Sequence, residues 1–143
     1  MARINLDQIF IGRLTDLLDL FNNTLNVQAV FLFGSHVDGY ATPTSDVDLA
    51  VLYDTPPSLL EELKFPSSIS MLVKNDRVDV LCLNRASIVL RHRACGGLLL
   101  YERDSNRVSD FIENTIRYYI DFLPDLLSYY QDYDLALEEA YGI

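Results

Sequence analysis

Basic residues are scarce in this chain: 11 Lys and Arg stand against 21 Asp and Glu in 143 residues, a formal net charge of −10. Such a surface repels DNA and RNA backbones, whose binding is built on Lys and Arg contacts, which argues against direct nucleic-acid binding. If the chain handles phosphate, cations have to bridge to it, and a basic protein partner is favoured electrostatically. Cysteine is sparse as well. Cys82 lies in an apolar, strand-like run and Cys95 beside Gly96-Gly97, and nothing points to an oxidising compartment, so both read as free, buried or half-buried thiols. Long apolar runs are missing: none approaches the ~18–20 residues of a membrane span. The segment Met1-Ala2-Arg3-Ile4-Asn5-Leu6-Asp7 turns acidic too soon for a secretory signal, and a cytoplasmic protein without membrane association is the expectation. Hydrophobic residues are plentiful, at 50%, which speaks against disorder and for one domain over residues 1–143 with a real core.

Periodicity orders that core. Asn5 and Gln8 form a capping-box pattern ahead of Leu6, Ile9, Phe10, Leu14, Leu17, Leu18 and Phe21, which predicts a first helix over about residues 6–22. Val27 to Phe33 is a short apolar, β-branched and aromatic run ending at a glycine, a buried strand. Residues 34–45 are rich in Gly, Ser, Thr and Pro and read as a turn, with room for one helical turn, and a loop. Val47, Leu49 and Val51 alternate with Asp46, Asp48 and Ala50, the period of a strand. After Pro56-Pro57, Ser58 and Glu61 form a second capping box, opening a helix that Pro66 should kink or end before helical character resumes over about 67–74. Arg77 to Leu83 predicts a third strand, residues 85–95 a helix stopped by Gly96-Gly97, and Leu98 to Tyr101 a short fourth strand. A long amphipathic helix follows from about Val108 to Tyr133, with a kink expected at Pro124. The order predicts an α/β (α+β) fold, a small mixed β-sheet flanked by helices. Its core would occupy about 1–103 and its C-terminal helical segment about 106–135.

Three features carry chemistry. Asp46 and Asp48, two apart on a strand, point to one face while Val47 and Leu49 point into the core, so their carboxylates can converge on a hard cation such as Mg²⁺. Alone, Asp-x-Asp is explained as well by a strand kept soluble by exposed charge. Gly34 and Ser35 end a strand in a turn whose backbone amides and hydroxyl suit a phosphate, though an isolated Gly-Ser is more often an ordinary turn. Asp79 interrupts the apolar run Val78-Asp79-Val80. Burying that charge unpartnered would be costly; a neighbouring strand bearing Asp46 and Asp48 together with cations relieves it, as would an exposed position or an ion pair to Arg77 or Arg85.

Taken together, Gly34-Ser35, ten intervening residues, Asp46-x-Asp48 and a lone Asp79 on a later strand resemble the signature of the DNA polymerase β-like nucleotidyltransferase superfamily. The flanks Leu32-Phe33-Gly34-Ser35 and Ser45-Asp46-Val47-Asp48-Leu49 are similar to the minimal nucleotidyltransferases, which include MntA antitoxins encoded beside HepT toxins of the HEPN class. The resemblance covers most of the chain, the last helix by pattern only. It implies a polymerase β-like fold and two Mg²⁺ ions held by Asp46, Asp48 and Asp79, all three counted as catalytic. Asp79 would stand on the side of the attacking oxygen, as metal ligand, as proton acceptor or as both. Gly34 and Ser35 would hold the β- and γ-phosphates of ATP. One departure stands out: relatives often carry a basic residue near Asp38, where this chain reads His36-Val37-Asp38-Gly39, which bears on any added phosphate contact from this turn.

Two other patterns compete for attention. Arg85 and His92 formally fit the Arg-x4–6-His spacing of HEPN ribonucleases, but those sites lie in all-helical domains, so chance is the better explanation. Arg91, His92 and Arg93 read as a solvated patch, or as a binder of phosphate or of an acidic segment. Six of nine tyrosines, Tyr118, Tyr119, Tyr129, Tyr130, Tyr133 and Tyr141, lie in the last 26 residues. With Phe111, Ile112, Phe122, Leu123, Leu126 and Leu127 they make the last helix apolar around much of its circumference. That helix either packs wholly on its own domain or offers a second face to a partner. The resemblance then implies an antitoxin that transfers AMP from Mg-ATP to tyrosine hydroxyls of a HepT-like HEPN RNase toxin, in a hetero-oligomer. Alternatives are a nucleotidyltransferase acting on a small-molecule hydroxyl or an RNA 3′ end, and a binding-only antitoxin.

Overall fold

The computed structural model describes residues 4–42 and 45–142. Its elements run α1 (Leu6–Ile9), α2 (Leu14–Asn23), β1 (Val27–Phe33), α3 (Ser35–Asp38), β2 (Val47–Tyr53), α4 (Leu59–Val73), β3 (Val78–Cys82), α5 (Ile88–Cys95), β4 (Leu98–Glu102) and α6 (Ser105–Tyr141). The strands form one mixed sheet in the order β3-β2-β1-β4. β1 pairs antiparallel with both β2 and β4, and β2 pairs parallel with β3. The α/β expectation holds.

Both faces of the central strands are covered, which explains why β1 is an unbroken apolar run. On one face Val27, Val30, Leu32, Val47, Leu49, Val51 and Tyr53 pack with Phe10, which follows α1, and with Leu17, Phe21, Phe65, Ile69 and Val73 from α2 and α4. On the other, Ala29, Phe31, Ala50 and Leu52 meet Leu83, Ala94 of α5 and Val108 of α6. The second face is thinner, and it uses small residues, Ala29, Ala50 and Ala94, to let the helices approach. It is also the face to which Asp48 belongs, since Asp48 alternates with Val47 and Leu49.

Three expectations about helices are corrected. The first predicted helix is two, because Ile11 (φ 48°) and Gly12 (φ 72°) take left-handed backbone and turn the chain between α1 and α2; this lets Phe10, almost wholly buried, enter the core. α4 does not end at Pro66 but continues past it as a single helix. The missing N–H costs about 3 kcal/mol in a helix interior, and burial of Phe65, Ile69 and Val73 on either side of it offsets that cost. α6 is longer at both ends than the expected 108–133, running Ser105–Tyr141 for 37 residues, about 55 Å at 1.5 Å per residue. Only Val108 and Thr115 of α6 are buried, so the helix is anchored by its first third, and most of the remainder projects with its side chains exposed.

Polar contacts set the junctions. Arg103, after β4, donates to the carbonyls of Phe21, Asn22, Thr24 and Val27, closing the C-terminal end of α2 onto the sheet. Asp104 caps α6 by accepting from the amides of Asn106 and Arg107, and Arg107 pairs with Asp54. Asn84 both accepts from and donates to the backbone of Tyr53, at 2.9 Å each way, which ties the end of β3 to the end of β2. Cys82 and Cys95 are free and half-buried, and burial pushes both thiols up from their ordinary pKa. Among the described residues no helix is long and apolar enough to cross a membrane.

Candidate active site

The site is built at one end of the sheet, where β1 finishes, β2 begins and β3 begins. Val47 N–H donates to the Arg77 carbonyl at 2.8 Å, which starts the β2–β3 pairing. From there the register is continuous and places Asp48 directly opposite Asp79. Neighbours in register on adjacent strands share a face, so the two carboxylates stand side by side on the face carrying Ala50 and Leu81. Asp46 precedes Asp48 by two residues and extends the same row. Just ahead of it, the Ser45 hydroxyl accepts from the Thr42 amide at 2.7 Å, which fixes the approach of the loop.

Gly34 closes the site from β1, whose last residue, Phe33, pairs with Asp48. Gly34 has φ 79° and ψ −153°, a backbone region open essentially to glycine alone. A Cβ there would lie 2.2 Å from Asp48 Oδ2. The glycine therefore serves two needs: it turns the chain into α3, and it leaves room for the Asp48 carboxylate. Ser35 follows as the first residue of α3, whose N-terminal amides have no side-chain cap.

Electrostatics at this point are unbalanced. Burial, then the charges of Asp79 and Asp46, raise the Asp48 pKa above its ordinary 3.8; Arg93 and His36 oppose that rise only in part. Asp46 and Asp79 are exposed and only Asp48 is partly withdrawn from water, so the site is an open row of oxygen donors, the kind of group that hard divalent cations take as ligands. Among the described residues the side chains do not already form a three-ligand cluster at metal-binding spacing. The donor chemistry suits Mg²⁺, and Asp46, Asp48 and Asp79 are the residues that would hold it.

The basic patch read from Arg91-His92-Arg93 is divided by the fold. Arg91 donates to the carbonyls of Leu83 and Asn84 and lies over the Phe111 ring; its role is structural. His92 stacks on Tyr119 at 3.7 Å, joining α5 to α6. Arg93 alone turns to the site, 3.8 Å from Asp38. Arg85 instead pairs with Glu62 and the Pro57 carbonyl at 2.8 Å each. Arg85 and His92 thus have separate structural partners, in keeping with a chance spacing. His36, in α3, is half-buried, with Nε2 out of solvent and without a hydrogen-bond partner. It borders a cavity of about 460 Å³ with Asn5, Gln8, Ser45 and Val47. Val47 faces away from the carboxylates, so this cavity lies behind the acidic row.

The sequence over residues 15–106 matches the model of the polymerase beta nucleotidyltransferase family, and the chain belongs to that family. No significant match is found among curated protein sequences. Solved structures with the same fold include a toxin–antitoxin crystallised with AMP-PNP, with a TM-score of 0.68 at 23% identity, covering 89% of this chain and 98% of that one. A toxin–antitoxin MntA–HepT structure gives a TM-score of 0.67 at 20% identity, covering 84% and 95%. A tri-AMPylated Shewanella oneidensis HEPN toxin in complex with its MNT antitoxin gives 0.68 at 20% identity, covering 86% and 97%. At these identities the likeness is one of fold.

Proposed function

We propose that this nucleotidyltransferase is the antitoxin of a toxin–antitoxin pair, and that it transfers AMP from Mg-ATP to a tyrosine hydroxyl of a HEPN-class RNase toxin, silencing it. The observation that carries the chemistry is the in-register pairing of Asp48 with Asp79 beside Gly34-Ser35. The choice of ATP and of acceptor is supported by the relatives, one crystallised with AMP-PNP and one in complex with an AMPylated toxin.

In this reading the tyrosine oxygen attacks the α-phosphorus of ATP, the bond from that phosphorus to the bridging oxygen breaks, and pyrophosphate departs. Bound Mg²⁺ supplies charge neutralisation to the attacking and departing oxygens. The chain's own part is positional. Asp46 and Asp48 would hold the cation against the α-phosphate end of the nucleotide, while Gly34, Ser35 and the uncapped amides of α3 receive the β- and γ-phosphates. Asp79, across from Asp48 and open to solvent, stands where an incoming hydroxyl could be oriented and its proton accepted. The projecting part of α6 supports the partner reading: Tyr129 and Tyr130 are 65% and 55% exposed, and aromatic side chains are favoured anchors at interfaces.

The direct test combines the purified protein, Mg-ATP and the product of the neighbouring gene, and measures the intact mass of that product. A gain of one or more AMP units is expected. A neighbour of unchanged mass, beside an antitoxin that demonstrably binds nucleotide, would count decisively against the proposal. Replacing Asp46 and Asp48 by Asn should abolish both the mass gain and protection of cells; retained protection would point to neutralisation by binding alone.

A further inference from the structure

We infer that Arg93 is a phosphate-binding residue of this site, reaching over α3 to the part of the nucleotide that leaves as pyrophosphate. The inference rests on the nucleotidyltransferase reading above and adds to it a residue from outside the motif.

The placement comes from α5. Its C-terminal turn is pressed onto the end of β1: a Cβ on Gly97 would lie 2.2 Å from the Leu32 carbonyl and 3.0 Å from Phe33 Cβ. That close approach sets Arg93, one turn earlier, beside the residues that lead into Gly34-Ser35. Its Nη2 lies 3.8 Å from Asp38 Oδ2. Asp38 closes the single turn of α3, its amide bonded to the Gly34 carbonyl at 2.9 Å. Residues three apart on a helix are surface neighbours, with about 5–6 Å between their Cβ atoms, so a guanidinium resting on Asp38 is within one side-chain swing of Ser35.

The contact with Asp38 is weak. Both side chains are at least half exposed, and exposed pairs at such separation contribute little. A triphosphate carries more charge and more acceptor oxygens than one carboxylate, and guanidinium binds phosphate by paired hydrogen bonds. Arg93 also acts on the acidic row, since its charge opposes the raised pKa of Asp48. The other basic group that does so is His36, whose Nε2 is buried. Asp38 thus parks Arg93 at the rim, and the nucleotide would draw it in.

The test is equilibrium binding of Mg-ATP and of AMP, by calorimetry, to the wild-type chain and to Arg93→Ala, Asp38→Asn and the double variant Asp38→Arg/Arg93→Ala. A charge-assisted contact of this kind predicts roughly 10–100-fold weaker Mg-ATP binding for Arg93→Ala. AMP, which lacks the β- and γ-phosphates, should change by less than about threefold on the same basis. Asp38→Asn should bind Mg-ATP at least as well as wild type. The double variant, which returns a guanidinium from the opposite side of the same contact, should recover most of the loss. Unchanged Mg-ATP binding in Arg93→Ala, or an equal loss for AMP, overturns the assignment. A wild-type chain that does not bind Mg-ATP would instead refute the nucleotidyltransferase reading itself. Arg93 is exposed, and its side chain supports no buried contact, so a folding defect is not expected; thermal unfolding of each variant checks this.

Discussion

Asp48 is held where burial and two like charges oppose its ionisation, and the consequence for stability has a definite sign. Its folded pKa lies above 3.8, so the protonated group is better tolerated in the folded chain than the ionised one. That contribution is complete below the unfolded pKa and is lost as pH rises through the folded value. In divalent-free buffer, Asp48→Asn should therefore match wild type in acid and gain stability over it as pH rises. Thermal unfolding of both proteins from about pH 3 to about pH 8 measures the difference; an advantage that shrank with rising pH would contradict the account. Added Mg²⁺ should then raise the Tm of wild type and not of the variant, because a ligand stabilises only the state that binds it. Gly34 makes the complementary point. Gly34→Ala meets Asp48 Oδ2 at 2.2 Å and a left-handed φ of 79°, with strain of about 1–3 kcal/mol. It should lower the urea midpoint and abolish nucleotide transfer together, since relief of the clash displaces Asp48.

The elements show how motif residues spread along the chain are brought to one end of a sheet. β2 delivers Asp48, β3 delivers Asp79 in register, and β1 delivers Gly34 just past Phe33, the partner of Asp48. Arg103 locks this arrangement from outside the site by donating to four carbonyls at the α2–β1 junction. Arg103→Ala leaves those groups without their donor, and a cost of about 2 kcal/mol is expected for losing hydrogen bonds to a charged group. Urea denaturation should show it, with nucleotide affinity preserved, because Arg103 lies away from the acidic row. The helix boundaries illustrate what periodicity misses. Ile11-Gly12 was hidden inside a continuous apolar pattern, and only its left-handed backbone divides α1 from α2. Pro66 is expected to kink or end its helix, yet α4 does not end there, with Phe65, Ile69 and Val73 buried on either side. Ser87 caps α5 by accepting from Leu90 N–H at 3.3 Å, so that helix starts at Ile88 and not at the expected 85.

For the molecule as a whole, acidity and the projecting helix belong together. From Tyr118 onward the sequence carries Asp121, Asp125, Asp132, Asp134, Glu138 and Glu139 and no Lys, Arg or His. Exposed Tyr129, Tyr133 and Leu135 are interspersed with them. A partner for this surface would offer apolar pockets rimmed by basic residues. Tyr129→Ser with Tyr133→Ser should leave the Tm within a degree or two, since exposed positions contribute little. The pair should nevertheless weaken binding to the proposed toxin partner by at least ~10-fold if these rings are anchors, and surface plasmon resonance at two salt concentrations would measure it. Slower association at high salt is expected from the charge pattern; unchanged affinity would remove α6 from the interface.

The sequence by itself determined which side chains could share a face. Strand alternation places Asp46 with Asp48 and separates both from Val47 and Leu49, and this is a local property of extended backbone. It also determined that a glycine must precede Ser35, and it carried the spacing by which the family is recognised. Only tertiary structure decided that β3 lies parallel to β2 in the register that sets Asp79 against Asp48. A shift of one residue would have turned Asp79 to the opposite face, and no local signal specifies pairing between segments so far apart. The fate of Arg91, His92 and Arg93 was likewise beyond the sequence. On one short helix, 3.6 residues per turn point successive side chains in different directions, and packing alone determined that one holds the sheet edge, one stacks on α6 and one faces the acidic row.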